Sequence, residues 1–224
     1  MAETRKRRPM LPDVSEEELG SGDFSEDLFV ENFVLDDPAG EAVKIIGDNV
    51  GGTRGRGAEF KDCIFRKCSF QGVCWKDAAF QNCLFVDCDL SNARLSEGFV
   101  RRCRFVGCKM VGCELSYAIF RDVTFENCGM KLSNLSFGKW NAVCFTGCDL
   151  SESSVMALQE NRSLTLEDCL LKKAEFTETS LNGVDLTTNE IGGMMVSGIR
   201  ELKGAVVTQM QAVQLAALLG VTVV

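Results

Sequence analysis

The sequence predicts an all-β solenoid: a four-sided β-helix that ends in an α-helix. Three observations predict it. Every fifth residue from Phe60 to Val155 is large and apolar, beginning Phe60, Phe65, Phe70, Trp75, Phe80, Phe85 and Leu90. The residue two places before each centre is small or compact, as at Ala58, Cys63, Cys68 and Val73. A period of 20 lies over the period of five, so that Phe65, Phe85, Phe105, Phe125 and Phe145 share one residue type and Cys68, Cys88, Cys108, Cys128 and Cys148 share another. Five matches neither the helical period of about 3.6 nor the strand period of 2. Four five-residue sides per turn make a square coil in which equivalent residues stack. Each turn then rises by one inter-strand spacing, about 4.8 Å, and buries its core only against its neighbours.

The repeat occupies residues 58–199. The five Phe residues form its predicted core stack, explained by burial and ring packing without a cofactor. After Val155 the centres resume at Leu166 and continue through Leu171, Phe176, Leu181, Leu186 and Ile191. The gap of eleven is two sides plus one residue, which predicts a bulge within Met156–Ser163, and Cys169 still continues the Cys column. About seven coils of this rise give a rod on the order of 34 Å long.

Residues 1–57 differ. The first twelve are basic and contain Pro9 and Pro12, and read as disordered. Residues 13–41 hold eleven acids and no Lys or Arg, with Phe24, Leu28, Phe29, Val30, Phe33, Val34 and Leu35 among them. That apolar density is foreign to a free tail. The segment is expected to cap the first coil or to strap along the rod, where Ala79, Phe99 and Ile119 form an outward apolar column. The glycine-rich run from Gly51 to Gly57 lacks the Lys-Ser/Thr ending of a phosphate loop.

Residues 200–224 predict a helix. Thr208 and Gln211 have the spacing of a capping box, a broad apolar face follows, and Gly220 suits the residue just past the helix end. Met210, Val213, Leu215, Leu218, Leu219, Val221 and Val223 are the expected homodimer interface; a plain cap over the open end of the solenoid is the alternative.

Composition narrows the function. The chain has 224 residues, 46% hydrophobic, and a net charge of −8. That sign opposes direct nucleic-acid binding, which needs Lys and Arg against phosphate. There is no histidine, so the commonest general base and metal ligand is missing and no imidazole can take a proton from a serine. No cofactor or metal site is expected, and enzymatic activity is not. The twelve cysteines lack close C-x2-C pairing with histidine and read as reduced core filler; Cys74 and Cys144, in outward phase, are the candidate reactive thiols and the basis of a redox-sensor alternative. Without an 18-residue apolar run or a signal-peptide h-region, the protein is expected in the cytoplasm, away from the membrane.

The charge is unevenly spread. Residues 1–57 carry 7 bases and 13 acids, residues 58–199 carry 15 and 18, and residues 200–224 add +1. A negative face on the rod therefore requires its acids to gather on one side. Asp87, Asp89, Asp122, Glu126, Asp149 and Glu152 are the candidate partner-binding acids, while Arg101, Arg102, Arg104 and Arg121 form a cationic group elsewhere.

The A/C-x-L/F-x-x units, such as Cys88-Asp89-Leu90-Ser91-Asn92 and Ala174-Glu175-Phe176-Thr177-Glu178, resemble the pentapeptide-repeat family over roughly 140 residues. That resemblance implies a right-handed quadrilateral β-helix. The tail from Leu202 to Val221 is similar to that of the Qnr and MfpA group within the family. The group resemblance implies an end-to-end homodimer that binds DNA gyrase or topoisomerase IV by mimicking B-form DNA, protecting the enzyme from quinolones or modulating it. The chain is most similar to the chromosomal Qnr-like members. It departs from the plasmid-borne ones, because twenty centres in unbroken phase leave no room for their projecting loops. A scaffold for an unrelated protein partner is the alternative function.

Overall fold

The structure, a computed structural model, describes residues 7–15, 19–22, 34–36, 39–41, 43–218 and 220–222. It is a parallel β-solenoid with a short C-terminal helix. One ladder of bridges climbs Asn49, Ser69, Asp89, Lys109, Gly129, Asp149, Leu170 and Glu190, stepping 20 residues until Asp149 and 21 at the next step. The sides are short because every fifth residue turns a corner. Asn82, Asp87, Asn92 and Glu97 are four successive corners, all at φ between 54° and 62°. Asn, Asp and Gly tolerate this left-handed region best, which is why they dominate the polar positions of the repeat. We name the corners by one member each, Asp62, Asp87, Asn92 and Glu97, and the faces by the strands between them.

Three coils fuse two faces into single strands, Phe99–Val106, Ile119–Glu126 and Lys139–Thr146. Each passes a corner of positive φ, at Arg102, Asp122 and Ala142, without losing register. The slip falls where the spacing predicts. Ser154 pairs with Asn134 at a step of 20, whereas Glu160 pairs with Lys139 at a step of 21, so the extra residue lies between them.

Inside, the Phe column is continuous. Ring centroids are 4.7 Å apart for Phe65–Phe85, 4.5 Å for Phe85–Phe105, 4.9 Å for Phe105–Phe125 and 4.8 Å for Phe125–Phe145, with near-parallel planes. Phe60, Phe80, Phe120 and Trp140 form the neighbouring column, and Val100 is its one small member between Phe80 and Phe120. The mismatch leaves an apolar void of about 20 Å³, lined by Phe80, Phe85, Val100, Phe105 and Phe120 among others. Cysteine fills the column beside the rings. The Cys88, Cys108, Cys128 and Cys148 thiols each donate to the carbonyl of the Phe 23 residues earlier. All twelve cysteines are free, ten of them buried. Burial pushes the Cys113 thiol up to about 12 and the Cys83 thiol upward as well. Titration of the native protein with a thiol reagent is expected to consume no more than two of the twelve thiols, and all of them after unfolding. Rapid native reaction of more than two contradicts the filler role.

The coil begins earlier than residue 58. Val34–Asp36 pairs with Arg54–Arg56, Ala39–Glu41 with Glu59–Lys61, and Val43–Ile46 with Ile64–Arg66, all at a step of 20. Ile45 and Val50 are buried core centres. The glycine run is part of this coil: Gly52 and Gly57 are corners at φ 75° and 70°.

Of the basic N-terminus, expected to be disordered, residues 7–13 run along the rod. Arg7 donates to both oxygens of Asp122 at 2.9 and 3.0 Å, and its carbonyl accepts from Ser163 Oγ at 3.1 Å. The Met10 amide donates to Asp122, and the Asp13 amide to Asn82 Oδ1. Residues 7–13 thus descend the Asp62 corner from the level of Ser163 to that of Asn82. Pro9 and Pro12 suit an extended run that pairs with no strand. Of the acidic segment read as the strap, residues 23–33 lie outside the described residues, and the strand Val34–Asp36 belongs to the first coil.

At the other end, a four-residue helix, α1 (Ile199–Leu202), and the helix α2 (Gln209–Leu218) close the coil. The capping box forms: the Gln211 amide donates to Thr208 Oγ1, and the Thr208 amide to Gln211 Oε1. Gln211 Nε2 also donates to the Leu186 and Asn189 carbonyls at 2.7 and 2.8 Å. Those carbonyls have no further coil above them, so Gln211 supplies the donor a next coil would have given.

Candidate functional site

The structure separates the six candidate acids. Asp89 and Asp149 sit on the face between the Asp87 and Asn92 corners, and Asp87 and Glu152 mark its two edges. Asp122 lies at the Asp62 corner, one corner before Asp87, and Glu126 on the face between those two corners. Four of them therefore lie on or at the edges of one face, and two lie elsewhere. A further difference is neutralisation. Lys109 stands between Asp89 and Asp149 in their column and reaches Asp89 at 3.3 Å. Lys131 reaches Asp149 at 3.1 Å. Arg104 grips Glu126 with Nε at 2.8 Å and an Nη at 2.6 Å, and Arg7 holds the buried Asp122. Only Asp87 and Glu152 of the six carry no ion pair among the described residues.

Asp89 and Asp149 are held below the usual carboxylate range. Burial works upward on them, but hydrogen bonds from Ser91 and Ser151, and from Lys109 and Lys131, outweigh it. Both carboxylates also accept from the amide two residues on, Ser91 or Ser151. Such side-chain turns shape the coil. These two acids therefore have a local structural task besides any role in binding. A uniform negative stripe of the kind DNA presents does not run along this face; acid and base alternate.

The predicted dimer residues split similarly. Leu215 is buried, 7% exposed, and with Gln211 faces the last coil, so it belongs to the cap. Met210 is 74% exposed, and Val213, Leu218 and Val221 are exposed beside it. Ile199 and Val206, which sequence reasoning missed, are exposed at the same end. Leu219 and Val223 lie outside the described residues. The helix has two apolar sides, and burial of Leu215 leaves the other unpartnered.

No catalytic constellation forms among the described residues. Ser136 and Lys139 have the S-x-x-K spacing of some serine hydrolases, but a corner separates them. Ser136 is buried with its hydroxyl bonded to Ser154 Oγ and the Met156 amide, while Lys139 is exposed on the next face. No cluster of three His, Cys, Asp or Glu suited to a metal occurs among the described residues. Cys144 is half-buried, and burial raises its pKa, which weakens it as a nucleophile. No helix among the described residues is long and apolar enough to cross a membrane.

The sequence profile of the pentapeptide repeat region matches residues 88–155. No curated protein sequence matches the chain. Among solved structures, trypsin-treated QnrB1, a plasmid-mediated fluoroquinolone resistance protein, is similar at 22% identity over 82% of this chain and 89% of that one, with a TM-score of 0.38. A second trypsin-treated form of QnrB1 is similar at 18% identity over 83% of this chain and 99% of that one, TM-score 0.36. HetL, a pentapeptide repeat protein involved in heterocyst differentiation regulation in the cyanobacterium Nostoc, is similar at 13% identity over 76% and 87%, TM-score 0.30. The profile match covers the centre of the coil, where the chain carries a pentapeptide repeat region, and five-residue sides in the same register continue on both flanks.

Proposed function

We propose that this protein is a non-enzymatic interaction rod, dimeric through its C-terminal end, that binds a type II topoisomerase, DNA gyrase or topoisomerase IV. The observation that carries the reading is the C-terminal end itself. The Leu202–Val221 tail, similar to that of the Qnr and MfpA group, seals the coil with Gln211 and Leu215 and leaves Met210, Val213, Leu218 and Val221 uncovered. A twofold contact between two such ends would double the rod and bury these side chains. The smooth coil adds support, since its faces offer binding surface rather than a reaction cavity.

The acids favour a restrained form of DNA mimicry. Asp87 and Glu152 are exposed at the two edges of one face, while the paired Asp89 and Asp149 lie within it. Exposed ion pairs of this kind are worth about 0–1 kcal/mol, so a strongly basic partner could displace Lys109 and Lys131. The alternation of charge favours, as a second reading, a scaffold whose partner is unrelated to DNA metabolism.

A supercoiling assay of gyrase with ciprofloxacin, titrated with this protein, separates the readings. Recovery of supercoiling is expected for a protector, and inhibition without recovery for a competitor of DNA. No effect on gyrase, and none on topoisomerase IV decatenation, at micromolar protein and low salt would overturn the topoisomerase reading.

A further inference from the structure

The face between the Glu97 and Asp62 corners differs from the rest of the rod. Its two outward columns read Ala79, Phe99, Ile119, Lys139 and Gln81, Arg101, Arg121, Asn141 over four successive coils. No acid stands in either column over this length. Arg101, Arg121 and Lys139 are exposed, and none of them has an ion pair among the described residues. Arg121 lies over the Phe99 ring, 5.8 Å from its centroid, so a π face partly offsets its charge. Several cations elsewhere on the rod answer acids one coil away, as in Arg56–Asp77, Lys76–Glu97 and Lys172–Glu190.

The corner at which this face begins adds an independent observation. Its members are Asp77 and Glu97 below, then Tyr117 and Phe137. Tyr117 and Phe137 stand at φ 59° and 63°, a conformation that disfavours bulky side chains. They stack on one another, 5.0 Å between centroids, and Tyr117 is 51% exposed. Neither ring fills the core. Two aromatic rings held in a strained backbone, Tyr117 exposed and Phe137 half-buried, call for a contact that repays the strain.

We infer that this face binds an extended, acidic segment of another protein, one whose carboxylates are interspersed with apolar side chains. Arg101 and Arg121 stack in one column at an interval of about 4.8 Å, and Lys139 stands one coil further on in the neighbouring column, so three successive coils each present a positive charge. Arg supplies bidentate geometry for carboxylates. Between and beside the cations, Phe99, Ile119, Tyr117 and Phe137 offer apolar and aromatic surface to the other side chains of such a segment. A nucleic acid would also meet cations and stacking rings. The net charge of −8 repels a long polyanion, whereas a short segment feels mainly the local field, because charges beyond about 8–10 Å are screened. The surface is separate from the face that carries Asp87, Asp89, Asp149 and Glu152 and stands without the topoisomerase reading.

The test uses the full chain and fluorescence anisotropy. The probe is a fluorescein-labelled peptide of repeated Glu-Leu-Gly, beside a Lys-Leu-Gly peptide and oligo-dT of similar length. Saturable binding of the acidic peptide alone is expected. The double variant Arg101→Glu/Arg121→Glu is expected to weaken it by more than about tenfold. Tyr117→Asn is expected to weaken it too, and Asn suits this corner conformation as Asn82, Asn92 and Asn127 do. The control Lys67→Asp/Lys173→Asp makes the same change in net charge at other corners, both at positive φ, and is expected to bind as the unaltered chain does. Circular dichroism melts check that each variant is folded. If the acidic peptide does not bind the unaltered chain, if the control weakens it equally, or if oligo-dT binds more tightly, the inference fails.

Discussion

Phe105→Ala is expected to cost about 3–5 kcal/mol in stability, a large share of what a domain of this kind has in hand. Phe105 is 5% exposed and lies between Phe85 and Phe125 at 4.5 and 4.9 Å, so its removal exposes a ring above and a ring below to a cavity. The rigid ladder limits collapse into that space, since every side is pinned at both ends by inter-coil bonds such as Arg104 N–H to the Cys83 carbonyl and Gly107 N–H to the Glu126 carbonyl. The void beside Val100 already weakens this level, which places the expected cost toward the upper end. Chemical denaturation followed by far-ultraviolet circular dichroism reads the change. A loss below about 1 kcal/mol would contradict the view that stacked rings carry the core. Because a solenoid is stabilised between nearest neighbours, the variant is also expected to broaden the transition by uncoupling the two halves of the rod.

The second large effect concerns assembly. Met210→Glu/Val213→Glu is expected to convert the proposed dimer to a monomer without unfolding the coil. Both side chains are exposed on the side of α2 that faces away from Gln211 and Leu215. A dimer contact there would bury them, and a pair of carboxylates facing its symmetry copy would meet both desolvation and like-charge repulsion. Sedimentation equilibrium on the unaltered and variant chains decides the matter. If both are monomeric, or both dimeric, the C-terminal end is a cap and nothing more. Leu215→Glu makes the contrast: it strikes the buried side and is expected to fray the last coil, seen as lost stability whatever the oligomeric state.

Much of the fold is legible in the chain because the coil length and the repeat length coincide. Phe65 to Phe145 at steps of 20 can stack only if one turn takes 20 residues, and the displaced centre at Leu166 reports its extra residue directly. Thr208 and Gln211 are legible for a similar reason: a capping box is local. The start of the coil is less legible, since Gly40 and Gly55 stand where large centres are expected and interrupt the list between Leu35 and Phe60. Pairing of the acids was within reach of the same reading. Lys109 follows Asp89 by one period, and Glu126 follows Arg104 by one period and two residues, so the columns hold the ion pairs once cations are placed in them as well. The S-x-x-K spacing of Ser136 and Lys139 makes no catalytic pair, because three residues cross a corner here rather than returning to one helix face.

By itself, then, the sequence determined the period, the four sides, the identity of the core columns, the slip near Met156 and the capped terminal helix. These follow from repetition and local hydrogen bonding, which involve residues at fixed separations. Only the tertiary structure decided that Arg7 neutralises Asp122 across 115 residues, that Leu215 turns inward while Met210 turns outward, and that Tyr117 and Phe137 stack beside the face that carries Arg101, Arg121 and Lys139. A strap has no period, and a helix with two apolar sides has no preferred one until a surface is set against it. Those choices depend on which groups the closed coil leaves unsatisfied, and that is settled only when the coil exists.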